Sequence, residues 1–338
     1  MMQRLLPLII SCLLLLLTGC HPIEEYEQNN EGDFIALWTS IDEHYCFFEE
    51  KGVDWEEVRS RYQPKVSNKM TRREFFRVCA DMVNELKDGH TNLSSGFETS
   101  YYRKWWSDYP ENYIERLIEE NYFHFNYKQL GSVIYGILPE GNVGYIHISS
   151  FQTALGDGNI DWILADLALC NGLVIDVRNN GGGNMSNAET WARHFIRKKT
   201  RAGYMIHKTG PGHNDFSEPF EFSYEPVAAP HIVWEKPVVL LTNRSTFSAA
   251  NFFTSVMRSQ PQVIHCGATT GGGSGMPVSY EMPGGWSIRM SAVSVLDSKG
   301  EITEPGIAPP RRYEVDMNMD DAFRGRDTML DFAVSIIK

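Results

Sequence analysis

The sequence predicts an α/β fold with a mostly parallel β-sheet, a small helical region before it and a β-rich extension after it. Three apolar runs, at residues 143–148, 173–177 and 237–242, are each followed by a segment of helical periodicity. Continuous apolar strands that alternate with helices are typical of parallel sheets, because both faces of such sheets are covered. A chain of 338 residues is long enough for a sizeable buried core, as one large domain with attachments or as two domains.

The composition is that of a globular protein and limits the classes of partner. Hydrophobic residues make up 42% of the chain, and its 18 Phe, 15 Tyr and 8 Trp exclude disorder for most of it. With 31 basic and 43 acidic residues, the formal net charge is -12. A field of this sign repels phosphate backbones, so we predict no nucleic-acid partner.

The first 20 residues have the pattern of a bacterial export signal. An apolar run over residues 5–17 is too short to span a bilayer as a helix but fits a secretory signal. The following LTGC at 17–20 resembles a lipobox, in which the cysteine is lipidated. We therefore predict a signal peptide over 1–19, lipidation at Cys20 and an acidic tether over 20–32. The protein would be anchored to a bacterial membrane, periplasmic or surface-exposed; an ordinary signal peptide is the alternative.

Four cysteines follow this segment: Cys46, Cys79, Cys170 and Cys266. They form no CxxC pair, and their spacing fits no zinc site. A Cys46–Cys79 disulfide is an open alternative in an exported protein, but four buried thiols are the prediction.

Residues 33–96 are predicted to form a small N-terminal helical cap. Apolar residues recur at helical spacing over 34–48. A second helix is expected to begin at Thr71, where Glu74 completes a capping box. Gly89 is expected at the left-handed C′ position that ends this helix.

Residues 97–140 form a connecting region that is rich in aromatic residues and has no clear period. Its aromatic side chains are predicted to pack in the core, with a substrate cleft or a hydrophobic partner as the alternative. They are Tyr101, Tyr102, Trp105, Trp106 and Tyr109.

The core domain is predicted over residues 141–338, and it contains the three apolar strands. Its helices are expected at 160–169, 188–196, 248–258 and 328–337. Later strands, of antiparallel or β-rich character, are expected at 278–282, 286–295 and 313–315.

Two polar segments follow the ends of predicted elements. His90, in DGHT at 88–91, comes just after a helix C-terminus, which favours the protonated imidazole. Taken alone, such a histidine is more often a capping or core residue than a catalytic one. Three glycines at 181–183 follow a buried strand and free backbone N–H groups to hold an anion or an oxyanion. A tight turn is the alternative; a P-loop is excluded, and a dinucleotide site is disfavoured, because their motifs are absent.

A third segment, NRSTFSAAN at 243–251, connects an apolar strand to a helix. A serine in the first helical turn has the positive helix end beneath it and backbone N–H groups beside it. The alternative is that Ser245, Thr246 or Ser248 is only an N-cap. The Gly-x-Ser-x-Gly motif of α/β-hydrolases is absent.

Together, these segments resemble the serine peptidase family that includes the C-terminal-processing (tail-specific) proteases, the tricorn core and retinoid-binding relatives. The resemblance covers residues 33–338 and is strongest at DGHT, at LVIDVRNNGGG over 173–183 and at NRSTFSAAN. It implies a crotonase-like (ClpP-like) core with Ser248 as nucleophile. Asn251 stands where the family has an acidic residue.

The resemblance also implies which residues assist Ser248. The tail-specific branch carries a catalytic lysine, but the corresponding GATTGGGS at 267–274 contains none. The sequence is therefore more similar to the tricorn branch, in which a histidine and a glutamate serve. His90 matches that histidine, and Glu304, in EPGIAP, matches that glutamate. Pro310 replaces the aspartate that usually follows this motif.

Elementary chemistry supports these roles. The Ser248 hydroxyl needs a base, because its own pKa is far too high for attack near neutral pH. His90 would accept that proton and return it to the leaving amine. Glu304 would orient the imidazole and stabilise its charged form, with Ser274 as a candidate bridging hydroxyl.

Backbone N–H groups would complete such a site. The N–H of Ala249 and that of either Gly182 or Gly183 are the predicted oxyanion donors. The remaining histidines lack the spacing of metal ligands, so we predict no metal and no cofactor. The roughly 45 residues between Phe97 and Asn142 are too few for a PDZ module of about 80 residues, so tail recognition is not expected.

The predicted function is that of an exported, lipid-anchored serine endopeptidase. It would hydrolyse peptides or partly unfolded proteins through an acyl-enzyme on Ser248. One alternative is a non-catalytic ligand-binding module, as in the retinoid-binding relatives; another is an esterase with the same triad. The joint presence of Ser248, His90 and Glu304 favours an enzyme over a binding module.

Overall fold

The computed structural model describes residues 26–337. The predicted signal peptide and Cys20 lie outside the described residues. Within them, the α-helices in chain order are α1 (Asn30–His44), α2 (Phe48–Lys51), α3 (Trp55–Tyr62), α4 (Arg72–Asn84), α5 (Lys104–Ser107), α6 (Glu115–Asn121), α7 (Asp157–Asp166), α8 (Met185–Arg193), α9 (Ala249–Met257), α10 (Met319–Phe323) and α11 (Thr328–Ile337).

The strands form two sheets. In chain order they are β1 (Asn92–Ser94), β2 (Lys128–Leu130), β3 (Val133–Ile137), β4 (Val143–Ile148), β5 (Gly172–Asp176), β6 (Thr200–His207), β7 (Phe220–Tyr224), β8 (Val238–Thr242), β9 (Val263–Gly267), β10 (Gly275–Glu281) and β11 (Ser287–Leu296).

The central sheet has the order β2-β3-β4-β5-β8-β9. Strands β4, β5, β8 and β9 are parallel, as the apolar runs predict. The antiparallel strands β2 and β3 extend this sheet and make it mixed. Both come from the aromatic-rich segment that the sequence left unassigned.

The second sheet is antiparallel. It runs β1-β11-β6-β7, and β10 pairs with the other side of β11. The long strand β11 is therefore the point at which β1, β6 and β10 meet. It lies beside the loops that follow α4 and β8, which carry two of the predicted site residues.

Apolar clusters cover both faces of the central sheet. On one face, α7, α8 and α9 pack against β5 and β8 through side chains such as Ile160, Trp191 and Phe253. On the other face, α11 packs on β5 and β8 through Met329 and Leu330. Burial on both faces explains why these strands are continuously apolar.

Helices α1 to α4 share a third apolar cluster with the second sheet. Phe75 and Phe76 of α4 pack on Trp286, and Ile288 of β11 is fully buried among these helices. The predicted capping box at the start of α4 is confirmed, because Thr71 and Glu74 exchange both hydrogen bonds. The helices are thereby held against the sheet that lines the site.

The cysteines, the segment at 313–315 and the length of the helices bear on predictions made from the sequence. The four cysteines at 46, 79, 170 and 266 are buried and free, as predicted. No full strand forms at the predicted 313–315: Arg311–Tyr313 forms a 3-10 turn, and Glu314 makes one isolated parallel β-bridge with Gly267. None of the helices within residues 26–337 combines the length and apolar character needed to cross a membrane.

The left-handed C′ position predicted for Gly89 is wrong. Helix α4 ends at Asn84, and Lys87, with φ 50°, has the left-handed conformation. Gly89 lies instead in a crowded place, where a Cβ atom would come within 2.5 Å of Nε1 of Trp105. Close packing therefore explains this glycine.

The prediction that the aromatic residues of the connecting region pack in the core is also wrong for three of them. Tyr101, Trp106 and Tyr109 are 54%, 44% and 49% exposed. Trp105, in contrast, stacks on Phe247 with ring centroids 4.0 Å apart. The connecting region thus places one aromatic ring against the loop that carries Ser248.

A buried ion network fixes the carboxyl end of β5. The Arg178 guanidinium donates to Asp176 at 2.6 Å and to Asp327 at 3.1 Å, and all three side chains are fully buried. Asp327 also accepts from the backbone N–H of Leu330 in α11. The network joins the strand that ends at the glycine triplet to the last helix.

We expect Arg178→Met to lower the free energy of unfolding by about 3–5 kcal/mol, because it leaves two buried carboxylates without a counter-ion. Urea unfolding measures this loss. The control is Arg326→Met, which removes a solvent-accessible pair with Asp331 and should cost far less than Arg178→Met. Equal losses in the two variants would show that the buried network contributes no more than a surface pair.

Candidate active site

Ser248 lies at the junction of β8 and α9 in a strained backbone conformation. It is the N-cap of α9 with φ 59° and ψ -124°, and its side chain makes no capping hydrogen bond. Such a conformation costs a non-glycine residue on the order of 1–3 kcal/mol and recurs at functional sites. Its backbone N–H donates to the carbonyl of Gly272 at 2.9 Å. The N-cap alternative therefore does not account for the Ser248 hydroxyl.

The neighbouring hydroxyl of Thr246 has a structural role instead. It donates to the carbonyl of Val177 at 2.8 Å and accepts from the N–H of Asn243. These bonds tie the end of β8 to the end of β5. They bring Ser248 close to the glycine triplet that follows β5.

His90 is brought to Ser248 across 158 residues of sequence. Its Nε2 lies 2.9 Å from the Ser248 Oγ, at hydrogen-bond distance. The buried carboxylate of Asp88 accepts from the backbone N–H of His90 at 2.8 Å and from the Ser291 hydroxyl. Arg289 donates to the His90 carbonyl at 3.1 Å. The loop is thus fixed by β11 on one side and by its own aspartate on the other.

Burial determines the charge of the His90 imidazole. Desolvation lowers its pKa, and the charge of Asp88 opposes that shift, while Arg289 and Lys51 lower the pKa further. The expectation of a protonated His90 is therefore wrong. Its premise also fails, because α4 ends at Asn84, before the loop that carries His90. A neutral imidazole is the form that can accept a proton.

Glu304 is buried behind this pair. Its Oε2 accepts from the backbone N–H of Ser274 at 2.7 Å, and its Oε1 accepts from the Lys51 ammonium at 2.7 Å. Desolvation, together with the charge of Asp88, raises the pKa of the Glu304 carboxyl to about 7, against the opposing effect of Lys51. Glu304 is therefore a carboxyl group that titrates near neutral pH.

Glu304 and His90 do not share a direct hydrogen bond in the part of the chain that the structure describes. Ser274 is attached to Glu304 through its backbone N–H. The Ser274 Oγ is buried and, among residues 26–337, lacks a hydrogen-bond partner. The His90 Nδ1 is also buried and has no hydrogen bond of good geometry, although the Gly275 backbone lies close enough to the imidazole to raise its pKa. The Ser274 hydroxyl is unusual, because buried polar groups are nearly always paired.

Asn251 holds the loops of the site together. Its amide nitrogen donates to Thr303 Oγ1 at 3.1 Å, and its amide oxygen accepts from the Thr270 hydroxyl at 2.6 Å. An aspartate would lack the donor that this bond requires. The asparagine in place of the family's acidic residue thus anchors the segment that precedes Glu304.

The backbone donors near Ser248 distinguish the two candidate glycines. The N–H of Gly182 already donates to Asn180 Oδ1 at 2.9 Å. The N–H groups of Gly183 and Ala249 have no acceptor within the described residues. Gly183 and Ser248 also line the same cavity. The geometry favours Gly183 over Gly182 as the second free donor.

Comparison with known proteins decides the family. The profile of peptidase family S41 matches residues 142–311, half of the chain, and that of the tricorn protease C1 domain matches residues 26–84. This chain belongs to peptidase family S41. It is a serine-type peptidase, and therefore a hydrolase.

Individual relatives agree with this assignment. A candidate peptidase from Parabacteroides merdae ATCC 43184 is 41% identical, with a TM-score of 0.86 over 91% of this chain and 96% of that chain. The carboxy-terminal processing protease CtpA of Bacillus subtilis (strain 168) is 26% identical over 204 residues. That match covers 58% of this chain but only 41% of the curated relative.

More distant structures share the fold of this S41 peptidase. Mature CPAF has a TM-score of 0.67 at 12% identity and covers 92% of this chain and 96% of its own. The photosystem II D1 C-terminal processing protease has a TM-score of 0.55 at 14% identity, over 91% and 97% of the two chains. Both likenesses are in the fold alone.

A cavity of about 260 Å³ opens beside Ser248 in this S41 peptidase. Its wall is mostly apolar, with one cation, the guanidinium of Arg289. The apolar side chains that line it include Met185, Phe252, Met276 and Val295. A pocket of this size has room for one apolar side chain. No group of residues between 26 and 337 has the geometry of a metal site.

Gly182 has no room for a side chain. A Cβ atom there would lie 2.7 Å from the carbonyl oxygen of Phe247 and 2.8 Å from the nitrogen of Ala249, at φ 96°. We therefore expect Gly182→Ala to displace Ser248 and lower kcat by roughly 10²-fold, the size of effect that a 1 Å misplacement produces. Steady-state kinetics on a peptide substrate measure this.

The control is Gly181→Ala, one residue earlier, where a Cβ atom meets nothing within 4 Å. It should keep the wild-type kcat. A similar loss in both variants would assign the effect to the loop as a whole.

Sequence reasoning found Ser248, His90 and Glu304, which the structure places in one region, but it missed Lys51. That lysine belongs to α2, and its contact with Glu304 joins residues 253 positions apart. The role of Asp88 was also missed, although DGHT had been singled out. A signal existed for Asp88, because an aspartate two residues before the histidine can accept from its N–H.

Proposed function

We propose that this S41 peptidase is an endopeptidase that cleaves peptides or partly unfolded proteins through an acyl-enzyme on Ser248. The single observation that supports this most is the 2.9 Å separation of Ser248 Oγ and His90 Nε2. A nucleophile within hydrogen-bond distance of a neutral, buried base is the arrangement that acyl transfer needs. The strained backbone of Ser248 supports the same role.

The proposed reaction has two stages. Ser248 Oγ attacks the scissile carbonyl carbon while its proton passes to Nε2 of His90. The tetrahedral intermediate then loses the amine, which takes that proton as the C–N bond breaks. A water molecule then gives a proton to His90 and attacks the ester carbonyl carbon. The bond from that carbon to Ser248 Oγ breaks, Oγ takes the proton back from His90, and the new carboxyl terminus is released. The free N–H groups of Ala249 and Gly183 are the proposed donors to the oxyanion.

In this proposal, Glu304 acts on His90 through Ser274. The ionised carboxylate stabilises the imidazolium that forms during the reaction. The Ser274 hydroxyl is the proposed bridge to His90, since it is buried and unsatisfied, its backbone N–H donates to Glu304, and the adjacent Gly275 backbone faces the imidazole. An aspartate or glutamate that acts through a hydroxyl needs no direct contact with the ring. This arrangement agrees with the tricorn-like branch, without a catalytic lysine or a PDZ module, and with a crotonase-like core behind a helical cap.

We further propose that the mature protein is a lipoprotein of the bacterial cell envelope. The support is the apolar run at 5–17 followed by LTGC at 17–20. Labelling of cells with an alkyne fatty acid should mark the wild type but not Cys20→Ala. Label on both proteins would contradict lipidation at Cys20.

The test of function uses residues 26–338, wild type beside Ser248→Ala, with a diverse peptide library analysed by mass spectrometry. We expect cleavage inside peptides by the wild type alone, with an apolar residue next to the scissile bond. A panel of simple esters runs in parallel. Turnover of esters without any peptide cleavage would favour the esterase, and no turnover of either by a folded protein would favour a ligand-binding module.

A further inference from the structure

Lys51 connects the N-terminal helices to the buried carboxylate of the site. It is the last residue of α2, and its ammonium donates to Glu304 Oε1 at 2.7 Å and to the carbonyl of Lys87 at 3.4 Å. The Lys51 side chain is 18% exposed and that of Glu304 only 4%. An ion pair that is largely removed from solvent interacts much more strongly than a surface pair.

The other groups around Glu304 do not provide a positive charge in contact with it. Asp88, on the loop after α4, is a second buried carboxylate and disfavours ionisation of Glu304. Tyr45 and Cys46, between α1 and α2, are buried, and burial raises the pKa of both groups, which keeps them neutral. The guanidinium of Arg289, on β11, faces Asp88 and the His90 carbonyl. The Ser274 N–H bond favours the carboxylate but is a dipole and carries no net charge.

We infer that Lys51 is a positioning residue of the peptidase, whose ammonium keeps Glu304 ionised and held against Ser274 at the pH at which the enzyme works. The inference rests on the proposed roles of Ser248, His90 and Glu304. It makes α2, outside the residues matched by the S41 profile, a functional part of the active site. Loss of the Lys51 charge would leave two carboxylates near each other in a buried region, and Glu304 would then be protonated at neutral pH.

The surroundings of Lys51 offer a matched control. Lys51 and Glu304 line a cavity of about 500 Å³ together with Lys87, Lys104 and Arg244. Lys87 contributes the same charge to the same cavity, but its ammonium does not bond Glu304. A general effect of positive charge in the cavity would appear with Lys87, whereas a specific effect on Glu304 would appear only with Lys51.

The experiment compares the pH dependence of kcat/KM for Lys51→Met, Lys51→Gln, Lys51→Arg and Lys87→Met with wild type. Since the ionised carboxylate is the active form, activity falls as pH decreases through the pKa of Glu304. Removal of the cation raises that pKa, so we expect the acid limb of both neutral Lys51 variants to move up by about one to three pH units. Activity at pH 7 falls about fivefold or more and recovers as pH rises above the new pKa, with little change in KM. In Lys51→Arg and Lys87→Met, kcat/KM should fall at the same acid pH as in the wild type.

A purely structural tether gives a different result. Lys51→Met and Lys51→Gln would then lower the melting temperature, and any activity loss would be the same at every pH. An acid limb at the wild-type position in both variants overturns the inference. In the Glu304→Gln background, Lys51→Met should cause no further loss of kcat, because the group on which it acts is already absent.

An infrared titration separates this inference from the proposed function. The difference between wild type and Glu304→Gln isolates the carboxylate band of Glu304 and gives its pKa without any substrate. We expect that pKa to rise in Lys51→Gln, and an unchanged pKa overturns the inference even for an inactive protein. If Ser248→Ala still cleaves peptides, the proposed function fails, while the infrared result still decides the role of Lys51.

Discussion

Replacement of Ser248 by alanine should lower kcat for peptide cleavage by at least about 10⁴-fold, because no acyl-enzyme can form and only the oxyanion donors and substrate binding remain. The free energy of unfolding should fall by no more than about 1–3 kcal/mol, the cost of leaving the buried Nε2 of His90 without its partner, since the hydroxyl makes no capping bond in α9. Active-site kinetics and urea unfolding measure the two quantities on the same preparation.

Ser248→Gly is the matched variant for the backbone. Its φ of 59° and ψ of -124° are strained for any side chain but not for glycine. We expect the glycine variant to be as inactive as the alanine variant and at least as stable. A rate near wild type in either variant would overturn the assignment of Ser248 as nucleophile.

The second large effect concerns Glu304. Glu304→Gln should lower kcat by about 10²–10⁴-fold at pH 8, comparable with the loss when a triad carboxylate becomes an amide. Since burial raises the pKa of this carboxyl to about 7, the wild-type enzyme should lose activity as pH falls through that value. His90 does not cause this limb, because burial lowers its pKa to about 4. Glu304→Gln should not lose activity in this pH range, so the ratio of the wild-type rate to the Glu304→Gln rate should shrink toward pH 5.

Glu301→Gln is the control, because it removes an exposed carboxylate three residues earlier in the same loop. It should show the wild-type pH profile. A constant ratio between wild type and Glu304→Gln across the pH range would show that the ionisation of Glu304 does not control the rate.

The strands of the central sheet were predictable because their local composition determines them. Residues 143–148 form β4 within the predicted bounds, and the runs at 173–177 and 237–242 are β5 and β8 to within one residue. Strands with both faces buried need an apolar side chain at nearly every position, and this leaves a clear pattern. The start of α4 was equally predictable, since a capping box is a local motif.

The connecting region was not predictable because its elements are short and depend on partners elsewhere. Strands β2 and β3 have three and five residues; β3 is stabilised by pairing with β4, and β2 by pairing with β3. Trp105 is indistinguishable in sequence from its exposed neighbour Trp106, and only Phe247, far along the chain, selects it for stacking. Tertiary contacts, rather than local preference, determine this segment.

Only those site residues that belong to a recognisable sequence motif were predictable. Ser248, His90 and Glu304 came from resemblance, and the structure places the first two at hydrogen-bond distance. The role of Lys51 could not be predicted, because a lysine in the sequence FEEK resembles any exposed residue of a surface helix. The neutral state of His90 was missed because its burial is produced by Phe247 and β11, which no nearby sequence reveals.

The long sequence separations in this site have a consequence for biosynthesis. Ser248 meets His90 across 158 residues, and Glu304 meets Lys51 across 253. A ribosome-bound chain that lacks the region around Glu304 therefore has no complete set of these groups. Such a nascent peptidase has no assembled means of attacking its own unfolded segments. The order of the residues along the chain thus delays assembly of the site until the chain has been made through Glu304.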